Sequence, residues 1–220
     1  MMTNLFSTFD PATTMKLSMN WMSSLTCMIM MPMTFWLLPN RTQFILNKIL
    51  STMYNEFKSL MKTMPGSKLL MTTMFMMILL NNMMGLLPYI FTSSSHMTFS
   101  LTMALPMWLT LMIYGWMNKT NYMLAHLIPM GTPKILMPFM VIIETTSNMI
   151  RPGSLAVRLT ANMIAGHLLM SLLGNSMKMN MMLPIIMMVQ MMLMMFEMAV
   201  AMIQAYVFSV LSTLYSSEVM

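Results

Sequence analysis

The sequence predicts an all-α integral membrane protein with three transmembrane helices, one surface amphipathic helix and a long inclined two-helix hairpin. Three observations predict it: the composition, the length of the charge-free stretches, and the few polar residues set inside otherwise apolar segments. Of 220 residues, 58% are hydrophobic and only 7% charged, and the mean hydropathy is +0.71; a water-soluble domain of this length carries far more charge. Charge-free stretches run from Leu17 to Asn40 and from Leu69 to Asn118, the second broken by the polar TSSSH at 92–96. They yield three segments of about 20 residues, each enough to span a bilayer. Two further apolar segments, 133–175 and 180–216, carry embedded polar residues.

The first span, 17–38, stops at LLPNR, where Pro39 and Arg41 end it. Over 41–64, Leu46, Ile49, Leu50, Met53, Phe57, Leu60, Met61 and Met64 fall on one helical stripe, with Lys48, Lys58 and Lys62 largely off it. Such a helix lies on a membrane surface. PGSK at 65–68 ends it, and spans of 69–91 and 100–117 follow as a hairpin across the uncharged TSSSH loop. The loop of 41–68 holds five Lys and Arg, that of 92–99 none and that of 118–134 two. The alternation puts the N-terminus outside and the amphipathic helix inside. From GTPKILMPFM the chain runs to Asn175 with one interruption, RPG at 151–153, which is expected to kink rather than end a buried helix. The last segment would be about 55 Å long as a straight helix against a bilayer core of about 30 Å, so both long segments must be inclined or bent. No soluble domain, long repeat or low-complexity linker is visible, and 1–220 reads as a single membrane domain.

Composition excludes several functions. The net charge of +6 could suggest nucleic acid, but five of the eleven cations sit in 41–68 and the rest are scattered; they read as orientation signals, and no nucleic-acid partner is expected. The single Cys27 excludes an internal disulfide and any multi-cysteine metal site. Three scattered histidines give no metal-ligand spacing and no facing pair for haem. Neither a phosphate-binding glycine loop nor a nucleophile elbow is present, so chemistry on a nucleotide must belong to another chain. MMTNLFSTFDPATTMK lacks the pattern of a cleaved import signal, which points to insertion from the side of synthesis. Methionine reaches 43 residues, often where Leu or Ile is usual, and helix propensity survives that exchange. We hypothesise an organellar code that reads one isoleucine codon as methionine; standard methionine codons at most of these positions in the gene would remove it.

The chemistry lies in the last two segments. AVRLTANMIAGHLL at 156–169 puts Arg158, Asn162 and His167 in buried helix, where a central cation costs at least roughly 2.5–3.5 kcal/mol on insertion scales. The final segment holds Gln190, Glu197, Gln204 and Glu218 at heptad multiples, a polar stripe that drifts about 20° per heptad. In an antiparallel hairpin turning near residue 181, Glu144 with Glu218, Arg158 with Gln204, and His167 with Glu197 have nearly equal index sums and so match in depth. Arg158 and His167 stand on opposite sides of a regular helix, so one of them faces the neighbouring helix and the other a second protein or a water cavity. Mutual pairing that fixes helix register would explain one intramembrane polar residue. For Glu144, Arg158, His167, Glu197 and Glu218, ordered by depth, we favour a proton path.

NNMMGLLPYIFTSSSH at 81–96, GTPKILMPFMVIIETTSNMIRP at 131–152, RLTANMIAGHLL at 158–169 and QAYVFSVLSTLYSSE at 204–218, with NLFSTFDP at 4–11, resemble the a subunits of mitochondrial ATP synthases over essentially the whole chain. The resemblance implies the stator half of a proton motor in the mitochondrial inner membrane, with the C-terminus toward the matrix. Implied partners are a rotating c-ring of carboxylate-bearing hairpins, peripheral-stalk and other membrane-sector subunits, and inner-membrane lipid; no cofactor is implied. It implies that Arg158 is the essential coupling arginine, facing the ring carboxylate between two offset aqueous half-channels. His167 and Glu197 would line the half-channel to the intermembrane space, Glu144 and Glu218 that to the matrix, with Asn162 and Gln204 supporting the arginine. A proton-coupled secondary transporter or antiporter is the alternative, but the two halves of the chain do not resemble each other. A structural membrane anchor would leave the polar ladder unexplained.

Overall fold

The computed structural model describes residues 5–14, 17–32, 37–61, 65–128, 131–176 and 182–219. Among these the chain is helical, and the one β feature is an isolated bridge between Thr14 and Leu17. The α-helices are α1 Thr26–Met30, α2 Arg41–Leu60, α3 Pro65–Gly85, α4 Met97–Asn118, α5 Thr120–His126, α6 Met137–Asn175 and α7 Leu183–Val219. Short 3-10 turns occupy Leu5–Phe9, Met19–Leu25 and Ser93–Ser95. Among the described helices, α4, α6 and α7 are long and apolar enough to cross a membrane.

The N-terminal half departs most from expectation. In place of one helix over 17–38, the 3-10 turn Met19–Leu25 runs into α1, which ends at Met31 with an extended ψ of 116°. Ser24 and Thr26 donate to the carbonyls of Trp21 and Ser23, as hydroxyls within α2, α3 and α7 also do three residues back. Residues 33–36 of the expected span lie outside the described residues. α3 starts at Pro65 and ends at Gly85 rather than covering 69–91. It contains Lys68, Asn81 and Asn82 and is not one of the three helices apolar enough to cross.

α2 starts where its sequence allows a reciprocal cap. The side chain of Asn40 accepts from the backbone of Gln43, and Gln43 Oε1 accepts from the Asn40 N–H at 2.9 Å, satisfying two donors that a helix start otherwise orphans. Part of the apolar stripe faces the protein: Leu46, Leu50 and Met53 pack on the core and Phe57 and Met61 are fully buried, while Ile49 and Leu60 are exposed. Lys48 and Lys58 are exposed; Lys62 and Met64 lie outside the described residues.

The helices pair differently from two successive hairpins. α7 packs chiefly on α3, and α6 chiefly on α4, while the seam between α6 and α7 is the smaller contact. α3 and α4 share a loop but no extensive seam, because the buried turn Ser93–Ser95 sits against α3, α4 and α6. α7 fits α3 through a stripe of small residues, Ala201, Ala205, Ser209, Ser212 and Ser216, all buried. Small residues let apolar helices approach closely where no hydrophobic force drives association. The hydroxyls donate within the helix or to sulfur: Ser212 Oγ reaches Met71 Sδ at 3.3 Å and Ser216 Oγ reaches Met61 Sδ at 2.8 Å.

α6 has 39 residues and stays helical through Arg151, Pro152 and Gly153. At 1.5 Å per residue its contour is about 58 Å. The expected turn near residue 181 falls within 177–181, outside the described residues.

Candidate proton-conducting site

Three contacts between α6 and α7 organise the polar residues. At the first level, Asn162 Nδ2 donates to Gln204 Oε1 at 3.1 Å, and Gln204 is buried. At the second, Glu197 is 6% exposed and its carboxyl group occupies the space that a side chain on Gly166 would fill. At the third, Arg151 forms ion pairs with both Glu144, Nη2 to Oε1 at 3.7 Å, and Glu218 through Nη1.

The expected pairs match in depth only, and the contacts fall on neighbouring residues. Gln204 meets Asn162 rather than Arg158. The two residues are one turn apart on one face of α6, and the shorter amide takes the interior place. Glu197 meets Gly166 rather than His167, because only the residue without a side chain admits a carboxyl group between the helices. Glu144 and Glu218 do share one locus, but through a cation that the depth-matching left out. Arg151 lies seven residues after Glu144 and seven before Arg158, the same heptad spacing that marked α7. That periodicity was the available signal.

Arg158 is exposed and makes no ion pair or hydrogen bond with another described residue. Arg151, in contrast, is satisfied inside the chain, its guanidinium carbon also lying 4.9 Å from the Tyr215 ring centroid. The two arginines of α6 therefore have opposite environments. One is spent on internal pairs and the other is presented outward.

His167 is half-buried, and its Nε2 has no hydrogen-bond partner among the described residues. Phe9, from the N-terminal 3-10 turn, meets its ring edge-on with centroids 6.3 Å apart. Further unpartnered buried polar atoms gather toward the same end: Asn81 Nδ2, Asn82 Oδ1, Ser94 Oγ and His96 Nε2. Asn82 Nδ2 lies 3.5 Å from the carbonyl of Ala201, one turn beyond Glu197 on α7. Ser94 belongs to the 3-10 turn that rests on α6. Buried polar atoms without protein partners call for water.

No group of three or more His, Cys, Asp or Glu among the described residues is placed to hold a metal ion. What the arrangement offers is proton chemistry: carboxyl groups, an imidazole, amides and an outward guanidinium along two membrane-length helices. Such groups on long apolar helices fit the class of proton-translocating membrane proteins.

Comparison with known proteins gives the particular family. Residues 4–217 match the family described as ATP synthase A chain. The chain is 58% identical over 225 residues to ATP synthase subunit a of Aedes aegypti, 57% to that of Locusta migratoria over the same length, and 56% over 223 residues to that of Drosophila melanogaster. Each alignment covers 100% of both chains. This chain belongs to the ATP synthase A chain family, whose members are membrane-sector, proton-translocating subunits and not nucleotide-binding ones.

Proposed function

We propose that this chain, the proton-channel subunit of an F-type ATP synthase, is the stator of a mitochondrial rotary motor and couples two offset half-channels to a c-ring through Arg158. The observation that carries the proposal is the outward, unpaired Arg158 on a helix whose other arginine is fully engaged. A cation within a membrane needs an anion, and the c-ring brings one carboxylate after another past this point. Beside Arg158 the ionised carboxylate is stabilised and releases its proton. Once past the arginine and facing lipid, an unpaired charge is costly, so the carboxylate must take up a proton to move on. Rotation is thereby tied to proton transfer, driven by about 2.3 kcal/mol per charge per 100 mV.

In this reading His167 and Glu197 line the half-channel to the intermembrane space. The unpartnered atoms of Asn81, Asn82, Ser94 and His96 support it by providing sites for water along the approach. Glu144 and Glu218 line the half-channel to the matrix, and Asn162 with Gln204 holds the seam beside Arg158. The N-terminus lies in the intermembrane space and the C-terminus toward the matrix. α2 rests along the matrix-side surface, and α6 and α7 run as an inclined hairpin, since each is about twice the length a bilayer core of about 30 Å requires. Peripheral-stalk and other membrane-sector subunits contact the remaining apolar faces.

The test is ATP-driven proton pumping and passive proton leak in membranes carrying Arg158→Gln, with assembly of the complex checked separately. An assembled complex that no longer pumps supports the coupling role. Unchanged pumping would make Arg158 a packing residue and overturn the mechanism.

A further inference from the structure

Arg151 joins four observations. It pairs with Glu144 of its own helix and with Glu218 at the end of α7. It lies against the Tyr215 ring. It borders a cavity of about 30 Å³, lined also by Trp108, His126, Asn148, Tyr215 and Glu218, which is room enough for water. All three ion-pair partners are partly accessible, with side-chain exposures of 25% for Arg151, 30% for Glu144 and 40% for Glu218.

We infer that Arg151 is a positioning residue of the matrix-side proton path, holding Glu144 and Glu218 on one guanidinium beside cavity water so that the cation passes from one carboxylate to the other as each is protonated. The inference rests on the assignment of Glu144 and Glu218 to that path. A guanidinium offers only donors and does not carry protons in proteins, so its effect is exerted through the carboxylates. When a proton from cavity water binds Glu218, its ion pair with Arg151 is lost and the guanidinium remains with Glu144. When that proton returns to water, the pair with Glu218 re-forms. One fixed cation thus keeps one carboxylate ionised at every stage, and the Tyr215 face keeps the guanidinium from swinging away.

The other titratable groups facing this locus are few. α5 contributes His126 and α7 contributes Tyr215, while α4 presents Trp108, Leu111 and Met112, none of which titrates near neutral pH.

Arg151→Gln and Arg151→Lys in the assembled complex test the proposal, read as ATP-driven pumping and as the dependence of proton flux on matrix-side pH with the opposite side held constant. Arg151→Gln is expected to lower flux on the order of tenfold, the equivalent of a lost charge-assisted hydrogen bond, and to displace the matrix-side pH profile while leaving that of the other side in place. Arg151→Lys keeps the charge, permits assembly should the Gln variant fail to assemble, and restores much of the flux. In the double variant Arg151→Gln/Glu218→Gln the losses are expected to be non-additive, because the two residues act as a unit. Wild-type flux and pH profile in assembled Arg151→Gln, or a lowered flux with an unshifted profile, would overturn the inference. Failure of the underlying assignment reads differently: Glu144→Gln and Glu218→Gln would then leave flux unchanged as well.

Discussion

Gly166→Ala tests the geometry proposed for the half-channel to the intermembrane space with the smallest possible perturbation. A Cβ built on Gly166 overlaps three atoms of the Glu197 carboxyl group, including Oε1 at 2.7 Å, so the carboxyl must leave its place. It is the end of a flexible side chain, and the move costs about 0.5–1.5 kcal/mol of rotamer strain. Replacing glycine by alanine within a helix returns roughly 0.5–1 kcal/mol. The two terms nearly cancel, so the variant is expected to assemble and to melt close to the wild type. Function has no such offset. A displacement of about 1 Å in a proton-transfer group costs on the order of a hundredfold in rate, and Glu197 has no room to return while the added methyl group stands against it. The assay is ATP-driven acidification of inverted membrane vesicles, followed by a quenched acridine dye, with complex content measured on native gels. Pumping is expected to fall by one to two orders of magnitude at unchanged complex content. A second substitution, Glu197→Asp on the Gly166→Ala background, shortens the side chain by one methylene and is expected to recover part of the loss. Wild-type pumping by Gly166→Ala would refute the reasoning, since it would mean that the position of the Glu197 carboxyl group does not matter.

Other substitutions probe the remaining levels. Asn162→Leu leaves the buried Gln204 amide without its donor and should cost about 1–3 kcal/mol, read as a lowered temperature at which the subunit is released from the detergent-solubilised complex. Phe57→Ala empties the best-buried position of α2 and should cost about 3–5 kcal/mol locally; protease cleavage within 41–60 would rise, and an unchanged digestion pattern would show that α2 is held by something else. Phe9→Ala removes the ring that covers His167 and should speed modification of that imidazole by diethyl pyrocarbonate, measured by peptide mass spectrometry. Equal rates would mean that the N-terminal turn does not shield it.

Much of this architecture is legible without coordinates, for physical reasons that differ between elements. α6 and α7 stand out because length and hydropathy are additive along a chain, and α2 because a 3.6-residue period with a polar opposite face can be counted. The family follows from long ordered stretches of residues. The segment 17–38 is different: its apolar content passes for a span, but among its described residues only Thr26–Met30 is α-helical, preceded by the 3-10 turn Met19–Leu25. Pairing between helices is the least legible level. Depth along a hairpin is fixed by residue number, but the side that each residue presents depends on which other helices compete for it. Here α3 and α4 take the main faces of α7 and α6, which rotates the remaining seam away from Arg158 and His167.

That rotation bears directly on the coupling role proposed for Arg158. Had an acidic side chain of this chain stood against Arg158, the arginine would be neutralised internally and would have nothing to offer a carboxylate arriving from outside. Asn162 takes Gln204 and Arg151 takes Glu144 and Glu218, and neither arrangement draws on Arg158. Its charge stays available, as the proposed coupling to a carboxylate on another chain requires. Adding an internal competitor should therefore uncouple the motor as surely as removing the arginine. Asn162→Asp, one turn from Arg158 on the same face, supplies such an anion, and the assembled complex is expected to lose most of its ATP-driven pumping. Retention of full pumping in that variant would mean that Arg158 does not need to be free, and would remove the central reason for its outward position.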